Sequence, residues 1–243
     1  MANENVFNNK AAAYVSARPS YAPEAIDQII KPMLSYDRFA ADVGSGTGIF
    51  SSELLQRGFE VYAVEPNADM RQKAEQKFCA EPRFHSIVGT AEATTLPDGC
   101  VSLVTAASAF HWFDPVAFRK ECRRILKPNG SVCIFHHSRV YDAFTQAQHE
   151  LFLRFCPEYS SLTHGVDKSL SRSEGFFESY QVARFAFPLH YTKEQFLQRA
   201  VSSSYVPNDC EDLLNELRLL MDKFYEGDRI EVANDTVVIW GRV

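Results

Sequence analysis

The chain has 243 residues, 46% of them hydrophobic and 13% aromatic, enough to bury a sizeable core. A formal charge of −6, with no lysine- and arginine-rich run, disfavours a nucleic-acid partner. Six scattered cysteines without a C-x-x-C pair, and no apolar run of membrane-spanning length, argue against a disulfide scaffold, a metal site and a membrane span.

Taken in order, the N-terminal "MANENVFNNK" lacks the apolar core of a signal peptide, so a cytoplasmic protein is expected. Strands are predicted at "RFAADV" (38–43), "EVYAV" (60–64), "RFHSIV" (83–88), "VSLVTAA" (101–107) and "SVCIF" (131–135). Between them "SSELLQRG", "ADMRQKAEQKF" and "PVAFRKECRRIL" space their apolar residues as helices do. Gly58 ends one helix, Pro115 opens another, and "KPNG" (127–130) turns the chain into a strand. Such alternation implies parallel βαβ units.

After Phe135 the rhythm breaks. Residues 138–178 hold the aromatic helical run "YDAFTQAQHELFLRFC" and a serine- and glycine-bearing stretch. They read as an insertion at the carboxyl edge of the sheet, either a substrate lid or a structural cover. "YQVARFAFPLHY" is read as the next strand, followed by a helix from Thr192, a helix from about Asp209 to Tyr225, and a last strand "TVVIWGRV". No repeat or linker divides the chain, so one domain over 1–243 is expected, with 1–34 as an N-terminal arm.

The loop "ADVGSGTGIF" carries Gly44, Gly46 and Gly48, and alternating glycines imply a backbone pressed close to something. A dinucleotide fingerprint, G-x-G-x-x-G, fails at its sixth position, which is Ile49. Asp42 beside the loop would repel a pyrophosphate and attract an ammonium. The electrostatics therefore favour S-adenosylmethionine, which has an amino group and a sulfonium there. Glu65, at the end of the next strand, can accept from ribose hydroxyls in either class of cofactor.

The run "ADVGSGTGIFSSELLQRGFEVYAVEPNADM" resembles the first two motifs of Rossmann-fold S-adenosylmethionine-dependent methyltransferases. More narrowly, "FNNKAAAYVSARPSYAPEAID" (7–27), "GTAEATTLPDGCVSLVTAASAFHWFD" (89–114), "FRKECRRILKPNG" (118–130) and "VSSSYVP" (201–207) are similar to a small-molecule group with a tyrosine/arginine arm and an H-W-F-D motif. This resemblance implies a seven-stranded, mostly parallel α/β sheet with helices on both faces, an antiparallel last strand and a helical insertion after the fifth strand.

It also implies site residues. Gly44, Gly46 and Gly48 would lie against the cofactor's methionine portion, with Asp42 on its amino group and Arg18 on its carboxylate, as Tyr14 and Arg18 close the arm. Glu65-Pro66 would take the ribose, and Thr90, Ala91 and Glu92 the adenine edge. Met70 is either an adenine contact or a core position, and Ser108 falls on the cofactor side. Phe110, His111 and Trp112 would line the methyl-transfer site, His111 as a base or as a shaping residue, with Ser202, Ser204 and Tyr205 on the substrate.

The expected function is S-adenosylmethionine-dependent methylation of a small organic molecule, at a carboxylate or hydroxyl oxygen. A catalytically silent cofactor-binding module and an NAD-dependent oxidoreductase are the alternatives. Neither a metal, a nucleic acid nor a membrane is expected as partner, and the assembly is a monomer or homodimer.

Overall fold

The structure, a computed structural model, describes residues 19–31 and 38–243. Tyr14, Arg18 and most of the arm lie outside the described residues.

Helix α1 (Pro23–Ile30) starts on a proline and turns Ala25, Ile26, Ile29 and Ile30 inward. Strand β1 (Phe39–Val43) runs through the glycine loop into α2 (Ile49–Gln56). Then come β2 (Glu60–Val64), α3 (Ala68–Lys77), β3 (Phe84–Ile87), β4 (Val101–Ala107), a 3-10 turn at Phe110–Trp112, and α4 (Pro115–Ile125). Asn67 caps α3, accepting the Met70 N–H, and Asp114 caps α4, accepting from Val116 and Ala117. Long β5 (Leu126–Arg139) leads to α5 (Ala143–Phe155), α6 (His164–Phe176) and β6 (Ser179–Ala186). The chain ends through β7 (Leu189–Thr192), α7 (Lys193–Val201), α8 (Glu211–Phe224), β8 (Arg229–Val232) and β9 (Asn234–Arg242).

The seven-stranded sheet has the order β3-β2-β1-β4-β5-β9-β6. Strands β1 to β5 pair in parallel, and β9 is antiparallel to both β5 and β6. The last strand is thus the antiparallel one, as expected. Period-two alternation splits the core across the sheet. Ala41, Val43, Val104 and Ala106 meet Phe118 of α4 and Phe176 of α6, while Ala40, Leu103, Cys133 and Phe135 meet Tyr21, Ile26 and Phe50.

A third cluster stands off the sheet: Phe144 and Phe152 of α5, Phe196 of α7, Leu217 and Met221 of α8, and Leu189 and Val232 of the β7–β8 ribbon.

The helical segment after the fifth strand packs in two places: α5 joins the third cluster, and α6 covers the sheet beside α4. One expectation changes here, because "YQVARFAFPLHY" is not one strand. Pro188, which has no N–H for a ladder, separates β6 from β7, and the two belong to different sheets. The larger elaboration is residues 187–233, which leave the sheet after Ala186 and return at Asp235, its paired neighbour.

Candidate functional site

Strand connections run outward from β1 to β3 on one side and through β4 on the other, so the switch point lies between β1 and β4. A cleft opens at their carboxyl ends. Asp42, Gly44, Ser45 and Gly46 form its floor, Ala107 and Ser108 one side, and Tyr21 and His137 its roof.

Asp42 is fully buried. One carboxylate oxygen accepts from Ser51 Oγ at 2.7 Å and the other from Thr105 Oγ1 at 3.0 Å. Burial outweighs those hydroxyls and raises its pKa to about 6. Gly44 donates to the Val64 carbonyl, with φ +69°, and a Cβ there would stand 2.7 Å from Ala109 Cβ. At Gly46 a Cβ would meet, among the described residues other than its chain neighbours, no atom within 4 Å, and the residue lines the cleft. Its N–H donates to Glu65 Oε2 at 2.9 Å, and the Asn67 N–H donates to Oε1 at 2.9 Å. Burial raises the pKa of Glu65, partly offset by those two N–H groups. Each oxygen keeps a lone pair for a further donor.

Pro66 gives its carbonyl to Arg71, and Met70 is buried in the first turn of α3. Thr90 and Ala93 close a turn by reciprocal backbone bonds, and Ala91 is buried in the core. Glu92, expected at an adenine edge, accepts the Asp114 N–H at 3.0 Å and so ties the loop after β3 to the H-W-F-D turn.

The same loop has a second anchor. Glu121 accepts from Arg124 and from the hydroxyl and N–H of Thr94; the Arg124 guanidinium above all, then Thr94, holds its pKa down at about 2.

Ser108 sits at φ +52°, a conformation uncommon outside glycine, at the end of β4. Its N–H donates to the Phe135 carbonyl, and its Oγ lies 2.9 Å from the Tyr21 hydroxyl. Phe110, expected on the substrate, is instead a core residue with 0% exposure, wedged against Phe118 and Phe176. A large ring there pays for itself by burial.

His111 turns under α6. Its ring lies 4.9 Å from that of Trp112 and 5.7 Å from that of His136, and a Cβ on Gly165 would approach Nδ1 to 3.3 Å. Nδ1 is buried with no hydrogen-bond partner among the described residues. Burial, then His136 and the cations of α6, hold the His111 pKa well below the usual value. His136 pairs with Ser169 Oγ and is pushed down to about 4. Neither His111 nor Trp112 lines the cleft.

A second cavity adjoins the first through His137. Arg139, Arg199, Ser203 and Tyr205 are among its walls. Tyr205 is therefore on a cavity, whereas Ser202 is buried with its hydroxyl on the Arg199 carbonyl and Ser204 is exposed. Tyr21, His137, Arg139, Arg199 and Glu121 were not singled out by sequence. Alternation along "FHHSR" does carry the signal, since it places Phe135, His137 and Arg139 on one face.

The family model "Methyltransferase domain" matches residues 41–134. An uncharacterized methyltransferase of Mycobacterium tuberculosis is 36% identical over 133 residues, 55% of this chain and 52% of that protein. The chain thus spans about half the length of the curated relatives it matches. A putative type II methyltransferase from Anaeromyxobacter dehalogenans superposes with TM-score 0.73 at 25% identity, covering 93% of this chain and 97% of that one. A phosphoethanolamine N-methyltransferase of Haemonchus contortus, solved with S-adenosylhomocysteine, shares the fold at TM-score 0.53 and 15% identity, covering 96% and 56%. Within a Rossmann-like fold, residues 41–134 are thus similar to the methyltransferase-domain family.

No helix among the described residues is long and apolar enough to cross a membrane.

Proposed function

We propose that the protein transfers a methyl group from S-adenosylmethionine to a carboxylate or hydroxyl oxygen of a small organic molecule. The observation that carries this reading is Gly46, whose missing side chain leaves the cleft floor open between two buried carboxylates, Asp42 and Glu65. That pairing suits a ligand with an ammonium at one end and a diol at the other, and it repels a pyrophosphate.

Asp42 would hold the amino group and Glu65 the ribose hydroxyls, with Gly44, Gly46 and Gly48 giving backbone approach. Pro66, Met70, Thr90, Ala91 and Glu92 would shape the adenine side, and Tyr14 and Arg18 would close the arm on the carboxylate. When bound, the cofactor supplies a methyl already activated by a positive sulfur. The chain's own task is then alignment and exclusion of water, for which well-oriented reactants gain about 7–11 kcal/mol.

Tyr21, Ser108 and His137 stand where the two cavities join, which favours that junction as the acceptor's position. A buried, neutral His111 supports a shaping role, with Trp112, for the turn that carries Ser108. The cytoplasm as location, the single domain, and a monomer or homodimer remain part of the same proposal.

Isothermal titration with S-adenosylhomocysteine and with NAD, then turnover against a metabolite panel, tests it. Binding of NAD alone, or methylation of protein or tRNA with none of metabolites, would refute the reading.

A further inference from the structure

The loop that follows β3, from Val88 to Gly99, is gripped along α4. Asp114, the cap of that helix, gives its N–H to Glu92. Further along, Glu121 accepts the Thr94 N–H at 2.8 Å and the Thr94 hydroxyl. One turn later Arg124 donates to the Leu96 carbonyl at 2.7 Å and to Asp98 at 2.6 Å, while the Gly99 N–H donates back to the Arg124 carbonyl. Arg124 Nη2 also donates to Glu121 Oε1 at 2.7 Å, so the two gripping side chains hold each other. Between the gripped residues Thr94 and Leu96 stands Thr95, with φ +65°. A β-branched residue avoids that conformation and keeps it only where its surroundings over-determine it. Observed strain of this kind clusters at ligand sites. The Glu65 N–H donates to the Ile87 carbonyl, so the loop leaves β3 one strand spacing from the Glu65 carboxylate.

We infer that Glu121 and Arg124 are positioning residues for the nucleoside end of the cofactor: by fixing the 88–99 loop, they set which base edge the site accepts. This rests on the methyltransferase reading, in which a ribose on Glu65 turns its base toward that loop. Neither side chain is among those lining the cleft, so both act through the loop's backbone. A backbone held to within about 0.5 Å matches the donors and acceptors of one base edge and leaves those of another unpaired.

The test is isothermal titration of the full chain with S-adenosylhomocysteine and with S-inosylhomocysteine. In the second compound a carbonyl replaces the base's amino group and an N–H replaces the neighbouring ring acceptor, which reverses the hydrogen-bonding pattern of that edge. Wild type should bind the adenosine compound about tenfold or more tightly. Arg124→Gln, which releases Leu96 and Asp98, and Glu121→Ala, which releases Thr94, should each cut that preference to about threefold or less. Glu121→Gln, whose amide oxygen still accepts from Thr94, should keep more of the preference than Glu121→Ala. A role in stability alone would lower the melting temperature and leave the preference unchanged. Should Glu121→Ala fail to fold, Arg124→Gln decides the matter. Equal binding of the two compounds by wild type, or wild-type preference in the folded variants, would overturn the inference and leave the cleft reading standing. Failure of wild type to bind S-adenosylhomocysteine at all would refute the cleft reading, and the inference with it.

Discussion

Tyr21 lies flat on His137, ring centroids 4.4 Å apart and planes 12° from parallel, while its hydroxyl reaches Ser108 Oγ at 2.9 Å. One residue from before the sheet thus joins the ends of β4 and β5 over the cleft. Tyr21→Phe keeps the stack and removes one hydrogen bond, so it should cost about 0.5–1.5 kcal/mol of stability. Tyr21→Ala empties a buried site and should cost about 3–5 kcal/mol. Urea denaturation of both variants checks the ranking. Equal losses would mean that the stack contributes nothing.

The glycines separate folding from binding. Gly44→Ala forces a Cβ onto Ala109 at positive φ and should lower the melting temperature markedly. Gly46→Val meets no atom of the described residues beyond its chain neighbours at its Cβ, so it should fold with a strain of about 1–2 kcal/mol and lose S-adenosylhomocysteine binding. Calorimetry and titration together give the result, and a Gly46→Val protein that binds like wild type would move the ligand elsewhere.

Asp42 sets a pH signature. Its pKa is raised from 3.8 to about 6 in the fold, so ionising it opposes folding. The ligand-free protein should lose stability as pH climbs from about 4 to 6 and then level off. A bound ammonium reverses the balance. Cofactor affinity should rise with pH through about 6, with protons released on binding at pH 6 and none at pH 8. Titrations in buffers of different ionisation enthalpy count those protons. Asp42→Asn should fold at least as stably at pH 8 while binding more weakly.

Glu121 behaves in the opposite sense. Its pKa is lowered from 4.5 to about 2, so its contribution is full above 4.5 and disappears as pH falls through 2. Glu121→Ala should cost about 1.5–3 kcal/mol at neutral pH, the worth of hydrogen bonds to a charged group. The gap from wild type should close in acid. Hydrogen exchange at Thr94 and Leu96 should quicken in the variant, and unchanged protection there would refute the anchor.

His111 and His136 stay neutral under α6, so no proton relay near pH 7 starts from them. With cofactor saturating, kcat should be flat from about pH 6 to 8, and His111→Gln should lose well under the 10²–10⁴-fold typical of a general base. A clear inflection near neutrality that vanishes in the variant would restore His111 as the base.

Much of this was readable in the chain. Buried parallel strands are continuous apolar runs, so "RFAADV" and "EVYAV" announce themselves, and Asp42 and Glu65 fall at their ends. What stayed hidden depends on distant pairing. The four-residue β7 and β8 have no stable form without each other, and "RIEV" gives no hint of "LHYT" as partner. Helix α6 is rich in serine, and only its buried face, Val166, Ser169, Ser173 and Phe176, reveals that it covers the sheet. Arg139 and Arg199 are ordinary surface-type residues until folding brings β5 and α7 together.

The pairing of Ala186 with Asp235 has a consequence for how this molecule can change. The ends of residues 187–233 are already held one strand spacing apart by β6 and β9, so the sheet needs nothing from that segment beyond a connection. A two-residue turn would serve the strands equally well. Arg199 and Tyr205 reside in this detachable cassette, whereas Asp42, Gly46 and Glu65 do not. New acceptor chemistry can therefore be grafted at one seam, with the half of the site that faces the glycine loop left untouched.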